Sequence, residues 1–212
     1  MARRDPRRNV PEGSAPTPVD DSLDALRDAA MGCKRCPLWK PATQTVFGDG
    51  PARARILVVG EQPGDQEDLS GHPFVGPSGK LFDKALAELG IDRSRMYVTN
   101  AVKHFKFERR GKVRLHKSPN AGEQRACRPW LEGERARIRP EVVVCLGAIA
   151  ARNVLGTAFR VTRQRGQWQT LEDGTLAVAT VHPSSVLRQR GDAARHAAYR
   201  AFVADLALLL ER

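Results

Sequence analysis

Arg114-Leu115-His116-Lys117 sets one imidazole inside the cationic run FKFERRGKVRLHKSPN, where a loop that only meets phosphate needs nothing beyond Lys and Arg. Taken by itself, His116 reads as a phosphate contact in a solvated basic loop. A second group of reactive side chains lies upstream. Gly60-Glu61-Gln62-Pro63-Gly64-Asp65 leads into the glycine-rich Gly71-His72-Pro73-Phe74-Val75-Gly76-Pro77-Ser78-Gly79. This stretch has neither GxGxxG nor GxxxxGK[ST], which excludes the dinucleotide turn and the phosphate-cradling loop. It offers two carboxylates, Glu61 and Asp65, beside backbone that a ligand can approach closely. Phe74 is either a flat stacking surface for a base or a core residue. Cys33-x-x-Cys36 with Cys127 and Cys145 completes the set; in a reducing compartment such thiols more often hold a metal or a cluster than a structural disulfide.

The elements that must position these residues follow from periodicity. Short Val-rich apolar runs closed by Gly, Asn or His-Pro occur at ARILVVGEQPG, MYVTNAV, EVVVCLG and LAVATVHP, the pattern of buried parallel strands. Helical patterns alternate with them. Ser78 is expected to cap a helix with Leu81, Phe82, Ala85, Leu86 and Leu89 on one face and Gly90 at its end, and GAIAARNVLG follows the third strand. Tyr199, Phe202, Val203, Leu206, Leu209 and Leu210 fall at core-packing helical spacing near the C terminus. The expected fold is α/β: a three-layer α/β/α domain with a central, mostly parallel sheet, in which ligands bind beyond the carboxyl ends of the strands. Glu61-Gln62, Asn100 and His182 stand at three of those ends.

Composition narrows the partner. The 212 residues carry 35 Lys and Arg against 24 Asp and Glu, a net charge of +11 that favours polyanions, nucleic acid foremost. Residues 1–20 are Arg- and Pro-rich and are expected to form a flexible basic tail, with residues 21–212 a single domain. No run reaches the roughly 18 apolar residues of a membrane span, and no export signal is visible, so a cytoplasmic, monomeric protein is expected.

GEQPGDQEDLSGHPFVGPSG, TNAVKHFKF, the Cys-x-x-Cys, ACRPWL and TVHPSSVLR together resemble the iron-sulfur uracil-DNA glycosylases of the family 4 type, over a stretch running from about Cys33 to the C terminus. GEQPG and the basic loop KVRLHK further resemble the UdgX-like branch, whose members excise uracil and remain covalently joined to the DNA. The resemblance implies the following roles. Asn100, Phe74 and Gln62 bind the extruded uracil, and Glu61, Asp65 and His182 act on the glycosidic bond. His116 captures C1′ of the deoxyribose in place of water, as neutral imidazole can near its ordinary pKa of about 6.5. Lys103, Arg114, Lys117 and Ser184 meet the DNA backbone, and the preferred substrate is single-stranded uracil-containing DNA. It also implies a [4Fe-4S] cluster on Cys33, Cys36, Cys127 and a fourth ligand. Where the family has VKC this chain has Val102-Lys103-His104, which makes His104 the fourth ligand over Cys145, an apolar strand residue; Cys3His zinc is the alternative metal. A hydrolytic glycosylase in which His116 only touches phosphate, and a non-catalytic iron-sulfur protein that binds nucleic acid, are the competing readings.

Overall fold

The computed structural model describes residues 22–211, so the expected basic tail lies outside the described residues. Four of its strands are the four Val-rich runs: β1 (Ile56–Gly60), β2 (Met96–Asn100), β5 (Val142–Leu146) and β7 (Leu176–Thr180). They pair in parallel in the order β2-β1-β5-β7, and the two-residue β6 (Gln169–Thr170) adds antiparallel at the β7 edge. A separate antiparallel hairpin is formed by β3 (Phe107–Arg110) and β4 (Val113–His116).

Strand side chains alternate between two apolar layers, as a sheet buried on both faces requires. Leu57, Val59, Val143, Cys145, Ala177 and Ala179 face one way. They meet α1 (Leu23–Met31), α4 (Ala121–Ile138) and α5 (Ala148–Leu155), with Trp130 fully buried among them. Val58, Val144, Leu146 and Val178 face the other way, toward α3 (Pro77–Glu88), α7 (Pro183–Leu187) and α8 (Asp192–Ala207). Short α2 (Asp65–Ser70) and α6 (Val161–Gln164) complete the helices. The expected three-layer α/β/α architecture with its mostly parallel sheet is therefore the observed one. No helix among the described residues is long and apolar enough to cross a membrane.

Helix α3 begins two residues earlier than the sequence suggests. Its N-cap is Gly76 with Pro77 at the first helical position, not Ser78. The reason is tertiary: both Glu67 carboxylate oxygens are taken by backbone, with Gly64 N–H donating at 3.0 Å and Gly76 N–H at 2.8 Å. One buried side chain thereby supplies the acceptors at the starts of α2 and α3.

β1 runs between β2 and β5, so the chain leaves β1 in one direction for β2 and in the other for β5. The crevice that such a reversal opens at the carboxyl ends of parallel strands is the place where α/β sheets bind ligands.

Candidate active site

Glu61 follows β1, Asn100 ends β2, and His182 follows β7 as the N-cap of α7. Gly60 pairs in register with Asn100, and a Cβ placed on Gly60 would lie 2.3 Å from Asn100 Oδ1 and 2.9 Å from Phe74 Cζ. Only glycine lets the Asn100 amide and the Phe74 ring share that space. Phe74 holds φ at +62°, in the left-handed region that costs an ordinary residue on the order of 1–3 kcal/mol. It is kept there by α3: a Cβ on Gly79 would overlap the Phe74 carbonyl at 1.7 Å, and the Phe74 ring packs against Phe82 with centroids 5.9 Å apart. Phe74 is thus both a core residue and the wall of the crevice.

Gly147 (φ +92°) sits at the end of β5 and would place a Cβ 2.9 Å from His182 Cβ, so the end of β5 also accommodates the histidine. The His182 tautomer follows from its contacts. Ser184 N–H donates to Nδ1 at 3.2 Å, so Nδ1 is unprotonated and the mobile proton sits on Nε2. Burial, then the nearby His116 and Arg188, push the ring's pKa down to about 4, which keeps it neutral at neutral pH. His182 is therefore a neutral N–H donor.

The hairpin brings His116 to the same crevice, its Nε2 3.7 Å from Glu61 Oε1. That oxygen is buried and accepts no hydrogen bond from the described residues. Desolvation and Arg188 lower the His116 pKa while Glu61 raises it, the net direction being down. A carboxylate acceptor thus faces an imidazole whose charged form is disfavoured, at a separation too short for any group to lie between them.

How the hairpin is held was not legible in its sequence. Gln62 is buried, and its amide is spent on hairpin backbone: Nε2 donates to the carbonyls of Lys106 (3.2 Å) and Lys117 (3.0 Å), while Oε1 accepts from Lys106 N–H (3.1 Å). This corrects its expected role as a base contact. Arg114, expected on phosphate, has a side chain only 11% exposed; it is ion-paired to Asp65 and, at 2.6 Å, to Asp68, and lies over the Phe105 and Phe107 rings. Asp65, expected to act on the substrate, is that partner. Asp68, which the sequence did not single out, is fully buried and also accepts from Thr43 N–H at 3.0 Å. Lys117 pairs with Glu108 at 2.7 Å on the exposed side of the hairpin. Ser184 Oγ contacts His182 Nδ1 and accepts from Arg188 at 2.9 Å, which orients the histidine. Arg188 was missed although it closes the motif TVHPSSVLR.

Lys103 requires the largest correction. Expected at the DNA backbone, it is fully buried and donates to Glu134 (2.6 Å), Thr99 Oγ1 (2.5 Å) and the Asn100 carbonyl (2.8 Å). Glu134 also accepts from Gly48 N–H, Tyr97 O–H and Thr99 O–H, so the buried charges are paired and their remaining valences are satisfied.

Three cysteines gather where α1 ends, at Cys33 and Cys36, and on α4 at Cys127. Trp130 Nε1–H donates to Cys33 Sγ and Lys103 N–H to Cys127 Sγ, both at 3.2 Å. Burial pushes the Cys127 thiol up to about 12, and the Cys33 and Cys36 thiols lie close enough to add to the shift. His104 is buried, its Nε2 3.0 Å from Thr45 Oγ1, and Thr45 Oγ1 donates in turn to the Ala30 carbonyl near the end of α1. Its Nδ1 is buried without a hydrogen bond from the described residues. Cys145 lies within β5, and the nearest charge acting on its thiol is Arg135 rather than another cysteine. Three thiols that sense one another, and a buried imidazole nitrogen with no hydrogen bond from the described residues, are donor types that an iron-sulfur cluster takes. Among the described residues, no three His, Cys, Asp or Glu side chains stand close enough to hold a single metal ion. A four-iron cluster spreads its ligands over four metal atoms and asks for a wider ring than zinc.

Comparison with known proteins agrees with this geometry. The uracil DNA glycosylase superfamily profile matches residues 47–207. A type-4 uracil-DNA glycosylase of Sulfurisphaera tokodaii is 34% identical over 175 residues, covering 79% of this chain and 76% of the relative. The type-4 enzyme of Archaeoglobus fulgidus is 36% identical (79% and 84% covered), and that of Thermotoga maritima 34% (83% and 88%). The matched region contains the β1, β2 and β7 ends together with the hairpin, and this chain belongs to the uracil DNA glycosylase superfamily.

Proposed function

We propose that the chain removes uracil from DNA as a glycosylase of the family 4 type. The observation that carries this reading is the convergence of Glu61, Phe74, Asn100 and His182 on one crevice at the strand ends, in a chain whose relatives are named for that activity. An extruded uracil would lie against Phe74, and the Asn100 amide would pair with O4 and N3–H. When the C1′–N1 bond breaks, its electron pair leaves with uracil, and charge develops on O2, where a neutral Nε2–H donor such as His182 stabilises it. The Glu61 carboxylate favours the cationic sugar left behind.

What then adds to C1′ divides two readings. The type-4 relatives favour water: Glu61 orients it, accepts its proton as the C1′–O bond forms, and the abasic strand is released. His116 would then serve as a contact at the rim. A second reading, with the UdgX-like branch as its parallel, is favoured by the His116–Glu61 approach at 3.7 Å on a hairpin tethered by Gln62. There an imidazole nitrogen bonds C1′ and the ring gives up its other proton to Glu61, leaving a stable protein–DNA adduct. The deciding experiment incubates wild type and His116→Ser with uracil-containing single-stranded DNA, follows free uracil, and runs a denaturing gel with and without alkali. Uracil release and alkali-labile DNA without a shifted band in either protein supports hydrolysis. A shifted band in wild type that disappears in His116→Ser supports capture. No uracil release by wild type refutes the glycosylase reading.

We also assign a [4Fe-4S] cluster to Cys33, Cys36, Cys127 and His104, as a structural cross-link. When bound, it supplies four covalent anchors between the end of α1, the segment after β2 and α4, and takes no part in breaking the glycosidic bond. The domain occupies residues 21–212, acts as a monomer, and prefers single strands.

A further inference from the structure

The cations closest to His116 in sequence are not the ones available to DNA. Arg114 is held by Asp65 and Asp68, and Lys117 is paired with Glu108 on the hairpin surface. Lys106 is bound to Glu123 at 2.9 Å. What remains on the hairpin is its tip. Arg109, Arg110 and Lys112 are exposed and form no ion pair among the described residues, and Val113 beside them is 58% exposed. Gly111 at φ +58° makes the tight turn between them.

The pairing register gives this tip a direction. Phe107 is paired with His116, Arg109 with Arg114, and Arg110 with Val113. Directly opposed residues share a face, so Arg109 stands on the His116 face, its guanidinium 5.6 Å from the Phe107 ring centre. Arg114 lies over the other neighbour of that ladder, and the sequence Arg109, Phe107, Arg114, Phe105 stacks from the tip to the base. The tip is therefore a stiff extension of the crevice rim. Three residue steps separate Val113 from His116, about 10 Å of strand.

We propose that the hairpin tip, through Arg109, Arg110 and Lys112, is a DNA-backbone contact of its own, engaging phosphates about two to three nucleotides to one side of the extruded base. Arg109 on the His116 face, with Arg110 and Lys112 around the turn, offers three cations without ion-pair partners among the described residues to successive phosphates, whereas Arg114 acts inside the protein to hold the hairpin upright. The inference rests on the uracil-excising reading and extends it to the flanking strand.

The test uses the full chain and an Arg109→Gln/Arg110→Gln/Lys112→Gln variant. Anisotropy measures binding of a single-stranded oligonucleotide carrying one central 2′-fluoro-deoxyuridine, which resists excision, across a range of KCl. Three lost contacts should lower the slope of log K against log salt by about 2, and affinity near 0.1 M salt by roughly 10- to 100-fold. Single-turnover uracil release at saturating DNA should stay within about twofold, since no group of the crevice is altered. Trimming the oligonucleotide on one side of the uracil should bring wild type down to the variant's affinity and leave the variant unchanged. A control, Arg53→Gln/Arg95→Gln, removes exposed charge at the opposite ends of the strands and should change the slope by less than half as much. An unchanged slope in the triple variant, or an equal effect in the control, overturns the proposal while wild-type uracil release still stands. Absence of uracil release by wild type overturns the function reading instead. A variant that binds weakly and also loses its single-turnover rate shows the tip to be part of the crevice, which likewise overturns a separate contact.

Discussion

Replacing Lys103 by Met separates a buried structural cation from a DNA contact. Lys103 and Glu134 are both fully buried, and the ammonium makes three hydrogen bonds, to Glu134, Thr99 and the carbonyl of Asn100. Methionine fills much the same volume without donors. Glu134 then keeps Gly48 N–H, Tyr97 O–H and Thr99 O–H but has no cation, and removing one partner of a buried pair costs about 3–5 kcal/mol. For a chain of this size each kcal/mol moves Tm by about 2–4 °C, so Lys103→Met should melt roughly 6–20 °C below wild type. Glu134→Gln in the same chain retains an acceptor for Gly48 and Tyr97 while removing the stranded charge. The double variant should therefore recover about 1.5–3 kcal/mol relative to the sum of the single variants. Urea and thermal midpoints of the four proteins give the coupling. If Lys103→Met instead lowers DNA affinity and the salt slope with Tm unchanged, the side chain reaches DNA and the buried assignment is wrong. Simple additivity of the two substitutions would refute the pairing argument.

Other consequences are equally direct. Asn100→Ala should lose most excision, since an unpaired uracil edge in a closed crevice costs on the order of 1–3 kcal/mol for each group, about 5- to 150-fold in rate; uracil release measures it, and a wild-type rate would remove Asn100 from base recognition. His182 takes up its proton near pH 6.5 when unfolded but only at about 4 when folded. The unfolded chain binds more protons between these values, so stability falls as pH drops through that window, by up to about 3 kcal/mol. Urea midpoints at pH 7 and 4.5 should differ less in His182→Gln than in wild type. Finally, Cys145→Ser should keep iron content and visible absorbance while His104→Ala loses them; the reverse pattern would move the fourth ligand to β5.

The parallel strands were readable because each is an apolar run buried on both faces and closed by Gly, Asn or His-Pro. The strand-end residues Glu61, Asn100 and His182 were readable for the same reason, as polar side chains at the boundary of such runs. What escaped was everything fixed by distant partners. Nothing local distinguishes Lys103, buried against a carboxylate 31 positions away, from the exposed lysine at 117. FERRGKVRLH alternates only over Val113 to His116, too briefly to mark a strand among its cations, and reads as a solvated loop; it is a hairpin because Gln62 bonds both of its bases and Arg114 reaches Asp65 and Asp68. The two-residue β6 is too short to leave a pattern. The Glu67 carboxylate displaced the start of α3 from Ser78 to Gly76, a tertiary effect that overrides a serviceable local cap.

The strand order also has a bearing on how the protein is made. β1, β2 and the hairpin lie early in the chain, β5 follows, and β7 with His182 comes last, on the far side of β5 from β1. A chain growing on the ribosome thus exposes Glu61, Asn100 and the cationic hairpin tip well before the imidazole that completes the crevice. A product broken off between β5 and β7, anywhere from residue 147 to 175, carries the basic hairpin without His182, and the sheet it leaves ends in an uncovered β5 edge. Premature release would yield a species that sticks to nucleic acid and repairs nothing, one that quality control must clear rather than one with partial activity.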